Sequence, residues 1–193
     1  MRNIVVLLVI LLGFVLALSS RFNSVLFYWW LAVFRPQDWM WMDISSLRIS
    51  LLAGLIVVVG AVMARVAPLV GSSITRIMLA FLGLEILASV LNGCDVSWKH
   101  IDQMFRAFLV LFITNRLIKT PRDLLVVMFI MGISLTFFAS KAGFFSLLQG
   151  GASQYGASNL RGSFVDSNGF AHGTAVLMFF VLVCAFNARL LAS

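Results

Sequence analysis

The chain has 193 residues, of which 62% are hydrophobic and only 11% are charged, with 14 Lys and Arg against 7 Asp and Glu. Soluble domains are about 45–50% apolar and about 25% charged. This composition therefore excludes an ordinary soluble domain and predicts an all-α, polytopic transmembrane bundle. The cations stand singly or in small groups at the ends of apolar runs, so we expect a lipid bilayer as partner and no nucleic acid.

Apolar runs follow one another along the chain, and each predicts a helix. A full span needs about 20 residues, so the short aromatic run at 22–34 is predicted to be a half-span or an interface helix. A cleaved signal peptide is the alternative for the first run. We therefore predict about six to seven hydrophobic segments, which form one integral membrane domain over residues 1–193. The apolar runs are 4–18, 22–34, 49–64, 77–91, 101–118, 124–139 and 170–186.

Glu85 lies within the apolar run 77–91. A carboxylate at such a position usually faces protein or water. It either forms an internal ion pair or faces a substrate, or it is a protonated structural residue, and the sequence names no partner for it.

Two other acidic residues have predicted local roles. Asp102 and Arg106 are four residues apart on one helix and are predicted to pair. Asp123 follows Pro121 and is predicted to cap the helix that begins there. The two cysteines and two histidines stand at no usual metal-ligand spacing, so we predict no metal site; these are Cys94, Cys184, His100 and His172.

The orientation in the membrane depends on one basic cluster. If the run 22–34 does not cross, the cations divide evenly between the two faces. The tightest cluster, at 116–122, lies in a very short loop, where the positive-inside rule has most force. We therefore place this cluster in the cytoplasm and residues 140–173 outside.

Residues 140–173 are predicted to form a glycine-rich outer loop and hold half of the 14 glycines. The simplest interpretation is a loop followed by a capped helix, because Asp166 and Asn168 are good N-cap residues. Exposed N–H groups at that helix start, with Arg161 and Lys141 nearby, make a phosphate or diphosphate site the alternative. The chain has no P-loop, dinucleotide fingerprint or metalloprotease motif, and we predict no cofactor.

Three stretches carry a resemblance to a known family. They are YWW and FRPQDW within 28–39, WKHIDQMFR and NRL within 98–117, and KAGFF, GG and GSFVDSNGFA within 141–171. The chain resembles the O-glycosylation ligases associated with the exosortase A system, in the O-antigen ligase and polymerase superfamily. The resemblance covers about the first half of that family, whose members are roughly twice as long.

The resemblance implies a function and a location. It implies the amino-terminal half of an O-antigen-ligase-like (GT-C type) membrane enzyme in the bacterial inner (cytoplasmic) membrane, spanning it several times. Such an enzyme transfers a glycan from a polyprenyl diphosphate carrier to a protein or lipid acceptor. It implies Arg161 and Lys141 in the lipid diphosphate pocket, with Asp166 and Asn168 shaping it, while the catalytic base is unknown. We expect this part alone to be inactive.

Two other functions fit the same sequence. One is half of a transporter or flippase, with Glu85 and the loop cations lining a path. The other is a non-catalytic membrane subunit.

Overall fold

The computed structural model describes residues 2–36, 48–66, 71–93, 95–150 and 167–189, and all regular structure within them is helical. This confirms the all-α prediction for the described residues. The helices are α1 (Arg2–Ser19), α2 (Arg21–Phe34), α3 (Ile49–Met63), α4 (Ser73–Asn92), α5 (Asp95–Leu117), α6 (Pro121–Leu148) and α7 (Ser167–Phe186).

Several helices extend beyond the apolar runs that predicted them. α4 begins at Ser73 rather than at residue 77, because Ser72 caps it by accepting a hydrogen bond from the Thr75 N–H at 3.1 Å. α5 begins at Asp95, six residues before the apolar run 101–118, within the polar residues that precede that run. A helix satisfies its own backbone hydrogen bonds, so polar turns remain helical where no proline or glycine stops them.

Helices also extend into the predicted outer loop 140–173. Residues 140–148 belong to α6 and residues 167–173 belong to α7, so both ends of this stretch are helical. The connection between the two helices lies within 149–166, and residues 151–166 are outside the described part of the chain.

The start of α6 is held by a reciprocal pair of hydrogen bonds. Thr120 is the N-cap residue, and its hydroxyl accepts from the Asp123 N–H at 3.1 Å. The Asp123 carboxylate in turn accepts from the Thr120 N–H at 3.0 Å. Asp123 therefore stabilises the helix start as predicted, but from the third helical position of a capping box rather than as the N-cap itself.

α2 is the central helix of the amino-terminal half. Ser20 alone connects it to α1, and its Phe27 ring covers Gly13 of α1. Tyr28 of α2 lies against Gly54 of α3, so α2 packs lengthwise between α1 and α3 and antiparallel to both. This placement does not fit a helix lying across the ends of its neighbours.

α6 and α7 form the closest helix pair at the other end of the chain. Gly132 of α6 faces the α7 backbone, where an added Cβ would lie 3.2 Å from the Leu177 carbonyl oxygen and 3.3 Å from the Val181 nitrogen. The Cys184 thiol donates to the Leu125 carbonyl at 3.4 Å. Together these contacts show that α6 and α7 are antiparallel.

α6 also joins the two halves of the bundle. The Phe34 ring of α2 lies 5.9 Å from Phe137 and 5.5 Å from Phe138 of α6, measured between ring centroids. α4 forms an antiparallel hairpin with α5, which packs against α3. Within the described part of the chain, two helices are long and apolar enough to cross a membrane, Ser73–Asn92 and Pro121–Leu148, and three apolar helices are shorter.

Candidate functional site

Two of the four predicted anion-site residues lie outside the described part of the chain. Arg161 and Asp166 belong to the segment 151–166, so the structure gives no position for them. Lys141 is exposed on α6, and Asn168 is the second residue of α7. α7 begins at Ser167, in agreement with the predicted helix start.

The helix register places Lys141 and Asn168 at the same level. Gly132 faces Leu177 and Val181 on the antiparallel α7. Continuing nine residues along α6 brings Lys141 level with residues 168–172 of α7. The two described residues of the candidate site, Lys141 and Asn168, therefore lie at the same end of the α6–α7 pair.

His172 shares this level and is also exposed. His172 was not among the residues predicted for the site. Its position one turn after Asn168 could have been read from helical spacing alone, but its proximity to Lys141 depends on the pairing of α6 with α7.

Glu85 has a partner that the sequence did not name. Its Oε1 lies 3.9 Å from Nε2 of His100, across the α4–α5 hairpin. The Glu85 side chain is 22% exposed and that of His100 is 62% exposed. The second carboxylate oxygen, Oε2, is buried without a hydrogen-bond partner among the described residues. The structure thus favours an interhelical pair over an isolated structural carboxylate.

The predicted pair on α5 is confirmed. Nε of Arg106 donates to Oδ1 of Asp102 at 3.0 Å, and a second contact joins Nη2 to Oδ2. Both side chains are about half exposed. This bidentate geometry neutralises both charges on the polar half of α5.

An amphipathic groove of about 460 Å³ lies between α2, α3 and α5. Its polar side chains are Tyr28, Ser50, Gln103 and Arg106, and most of its remaining walls are aliphatic. This groove was not predicted from the sequence, because three separate helices line it. One signal was present: Gly54 permits close approach, and an added Cβ would lie 3.3 Å from the Tyr28 ring.

One buried side-chain hydrogen bond fixes α2 against α5. Nε1 of Trp29 donates to the Thr114 hydroxyl at 3.0 Å, and that hydroxyl donates to the Val110 carbonyl at 2.7 Å. Thr114 is only 2% exposed. The indole N–H is thereby satisfied inside the bundle, although the aromatic run had suggested an interface position for it.

A family model described as a family of unknown function, DUF5935, matches residues 1–187. The chain belongs to the DUF5935 family. No curated protein and no solved structure matches it.

The DUF5935 match spans every helix described above, from α1 to α7. The family description states no activity, so function has to be argued from residues. Within the described part of this DUF5935 chain, no three His, Cys, Asp or Glu side chains form a cluster that could hold a metal ion. The features that could form a functional site are a cationic helix end, an interhelical Glu–His pair and grooves with apolar walls.

Proposed function

We propose that this DUF5935 chain is the amino-terminal part of a membrane glycan ligase. The ligase would transfer a glycan from a polyprenyl diphosphate carrier to a protein or lipid acceptor. The observation that carries the proposal is that Lys141 and Asn168 stand at one level of the α6–α7 pair. Arg161 belongs to the stretch of sequence that connects these two helices.

The exposed apolar surface supports a position in the bilayer. α1 and α4 leave large aliphatic side chains exposed around most of their circumference, including Leu8, Leu12, Leu84 and Leu87. Water-soluble proteins rarely expose a contiguous apolar surface larger than a few hundred Å². We therefore propose a multi-pass protein of the bacterial inner membrane, with lipid covering these faces.

The helix directions lead to a revised topology. α2 runs antiparallel to both α1 and α3, so it crosses the membrane if they do. Six crossings then precede the α6–α7 connection, and the amino terminus lies on the same side as that connection. With the basic cluster 116–122 in the cytoplasm, both are outside. A cysteine introduced at Asn3 should react with an impermeant reagent in intact cells, and reaction only after permeabilisation would contradict this topology.

The proposed chemistry needs cations and a base. The guanidinium of Arg161 and the ammonium of Lys141 would hold the diphosphate, and Asp166 and Asn168 would shape the pocket. An acceptor hydroxyl attacks the anomeric carbon, the bond from that carbon to the diphosphate oxygen breaks, and polyprenyl diphosphate leaves. The hydroxyl proton passes to a general base that remains unassigned. No cofactor or metal enters this scheme.

Replacing Arg161 by Ala in the intact protein tests the proposal. Loss of a hydrogen bond to a charged group costs about 1.5–3 kcal/mol, so glycan transfer in cells should fall at least about ten-fold. Arg189→Ala, at the opposite end of α7, is the matched control and should leave transfer unchanged. Wild-type transfer by the Arg161 variant, at equal membrane abundance, would remove Arg161 from the site.

A transporter or flippase half is the second candidate, and the Glu85–His100 pair favours it. Ionisable side chains inside membrane segments mark proton and substrate pathways, and Oε2 of Glu85 is buried without a hydrogen-bond partner among the described residues. Under this alternative, Glu85→Gln abolishes uptake of a lipid-linked glycan in vesicles while Arg161→Ala does not. The ligase proposal predicts the opposite: Arg161→Ala lowers glycan transfer more than Glu85→Gln does.

A further inference from the structure

A second groove lies at the α1–α2 turn, at the opposite end of the bundle from the candidate diphosphate site. We call it the Arg21 groove. It has a volume of about 690 Å³, within the range of small-molecule pockets. Its walls come from the end of α1, the start of α2 and the second half of α3, and they include Ala17, Leu55, Ile56, Val59 and Met63.

The hydroxyl groups at the mouth of this groove are already engaged by the protein. Ser19 donates to the Leu16 carbonyl and Ser24 donates to the Arg21 carbonyl, both at 2.7 Å. The Ser20 oxygen accepts from the Asn23 N–H at 3.1 Å. These hydrogen bonds stabilise the turn, and Arg21 is the only charged residue among those that line the groove.

No acidic side chain among the described residues neutralises the charge of the Arg21 guanidinium. Its side chain is exposed, and no hydrogen bond or ion pair engages it among the described residues. Asp123 accepts from the Lys119 and Thr120 N–H groups at the start of α6, and the carboxylates of Glu85 and Asp102 pair with His100 and Arg106. An anionic group at the mouth would supply the missing counter-charge.

The rest of the groove is aliphatic and open. Gly60 contributes no side chain, and a Cβ added there would meet only Cγ of Arg21, at 4.0 Å. The space beside the Arg21 stem is therefore bounded by the branched side chains of α3 and the end of α1. A ligand that fits has an anionic head at Arg21 and a hydrocarbon chain along α3.

We propose that the Arg21 groove binds an anionic phospholipid, with its phosphate on Arg21 and one acyl chain against α3. The site requires only that the chain resides in a bilayer and does not depend on the ligase proposal. By the topology above it faces the cytoplasmic leaflet, where anionic lipids attract basic residues near the surface.

Lipid retention by the purified, delipidated protein tests the proposal. Native mass spectrometry would compare binding of phosphatidylglycerol and phosphatidylcholine to wild type, Arg21→Gln and Gly60→Leu. Arg21→Gln should weaken phosphatidylglycerol binding roughly ten-fold, since it removes a charged hydrogen-bond donor, and Arg21→Lys should restore part of it. Gly60→Leu should block both lipids because its side chain occupies the chain-binding space.

Two variants on α4 serve as matched controls. Arg76→Gln and Gly83→Leu change the same residue types outside the groove, and no atom lies within 4 Å of a Cβ added at Gly83. Both should retain lipid as wild type does, and unfolding midpoints would show that all variants fold. Wild-type phosphatidylglycerol binding by Arg21→Gln would overturn the proposal. So would equal binding of both lipids by wild type, or an Arg21-dependent rise in unfolding midpoint with inorganic phosphate alone.

Discussion

α2 and α4 show that apolar length does not determine where a helix lies in this bundle. α2 has 14 residues, yet it is packed between α1, α3 and α6 and buries residues on several sides. α4 has 20 residues and is long and apolar enough to cross a membrane. It nevertheless buries only Thr75, Leu82 and Ser89, which are spaced seven residues apart along one stripe. The longer apolar helix is the peripheral one.

The difference lies in side-chain fit. Phe27 and Tyr28 of α2 lie against Gly13 and Gly54 of its neighbours, so the backbones approach closely. The glycine of α4, Gly83, faces no atom within 4 Å. In a bilayer, lipid tails cover an apolar side chain as well as another helix does, so packing and hydrogen bonds decide helix association.

The largest expected effect is at the α1–α2 contact. Gly13→Ala would place a Cβ closer than 3.0 Å to three atoms of the Phe27 ring. That ring cannot turn freely, because Phe14 and Trp30 flank it at centroid distances of 4.9 and 6.0 Å. Overpacking of this kind costs about 1–3 kcal/mol, and denaturant unfolding in detergent, followed by tryptophan fluorescence, measures it.

Gly83→Ala on α4 is the control for that substitution. It removes a helical glycine without a clash and should leave the unfolding free energy unchanged or raise it by up to about 1 kcal/mol. Equal losses at both positions would contradict the contrast between the two helices.

A smaller effect is expected from the hydrogen bond between α2 and α5. Trp29→Phe removes the donor to the Thr114 hydroxyl, and such bonds between membrane helices contribute about 0.6 kcal/mol, with a maximum near 1.7. Thr114→Val also removes the bond to Val110, so a double-mutant cycle of the two positions is needed to isolate the interhelical term. Trp98→Phe, at an exposed position of α5, should have no comparable coupling to Thr114.

The smallest effect is expected at the α4–α5 hairpin. The Glu85–His100 pair is 3.9 Å long and its histidine is mostly exposed, so Glu85→Gln should change the unfolding free energy by less than about 1 kcal/mol. Asp102→Asn, within α5, is the comparison and should fall in the same range. A loss above about 2 kcal/mol for Glu85→Gln would show that α4 is held by a buried charge rather than peripherally packed.

Much of the helix content could be predicted from particular residues. The run 22–34 appears as Arg21–Phe34, and the run 49–64 appears as Ile49–Met63. The pair Asp102–Arg106 was predictable because both partners lie four residues apart on one helix. The polar start of α5 was not predicted, since hydropathy reports the solvent a segment prefers and not where its backbone stops being helical.

The candidate site was predictable only in part. Lys141 and Asn168 were chosen from residue type and nearness to a helix boundary. His100 as the partner of Glu85 could not be chosen, because the register of the α4–α5 hairpin depends on how the two helices pack. The Arg21 groove likewise brings together three helices, and the residues that line it, from Ala17 to Met63, are up to 46 positions apart in the chain.

The sequence by itself determined the all-helical class and the main apolar segments, because helix formation and apolar burial depend on local pattern. The tertiary structure alone decided that the short aromatic helix is central and the long α4 peripheral. It also brought Lys141 to the level of residues 168–172 and gave Glu85 a partner. The physical reason is that glycine-to-ring contacts, interhelical hydrogen bonds and helix register involve residues distant in the chain, whose fit no local pattern records.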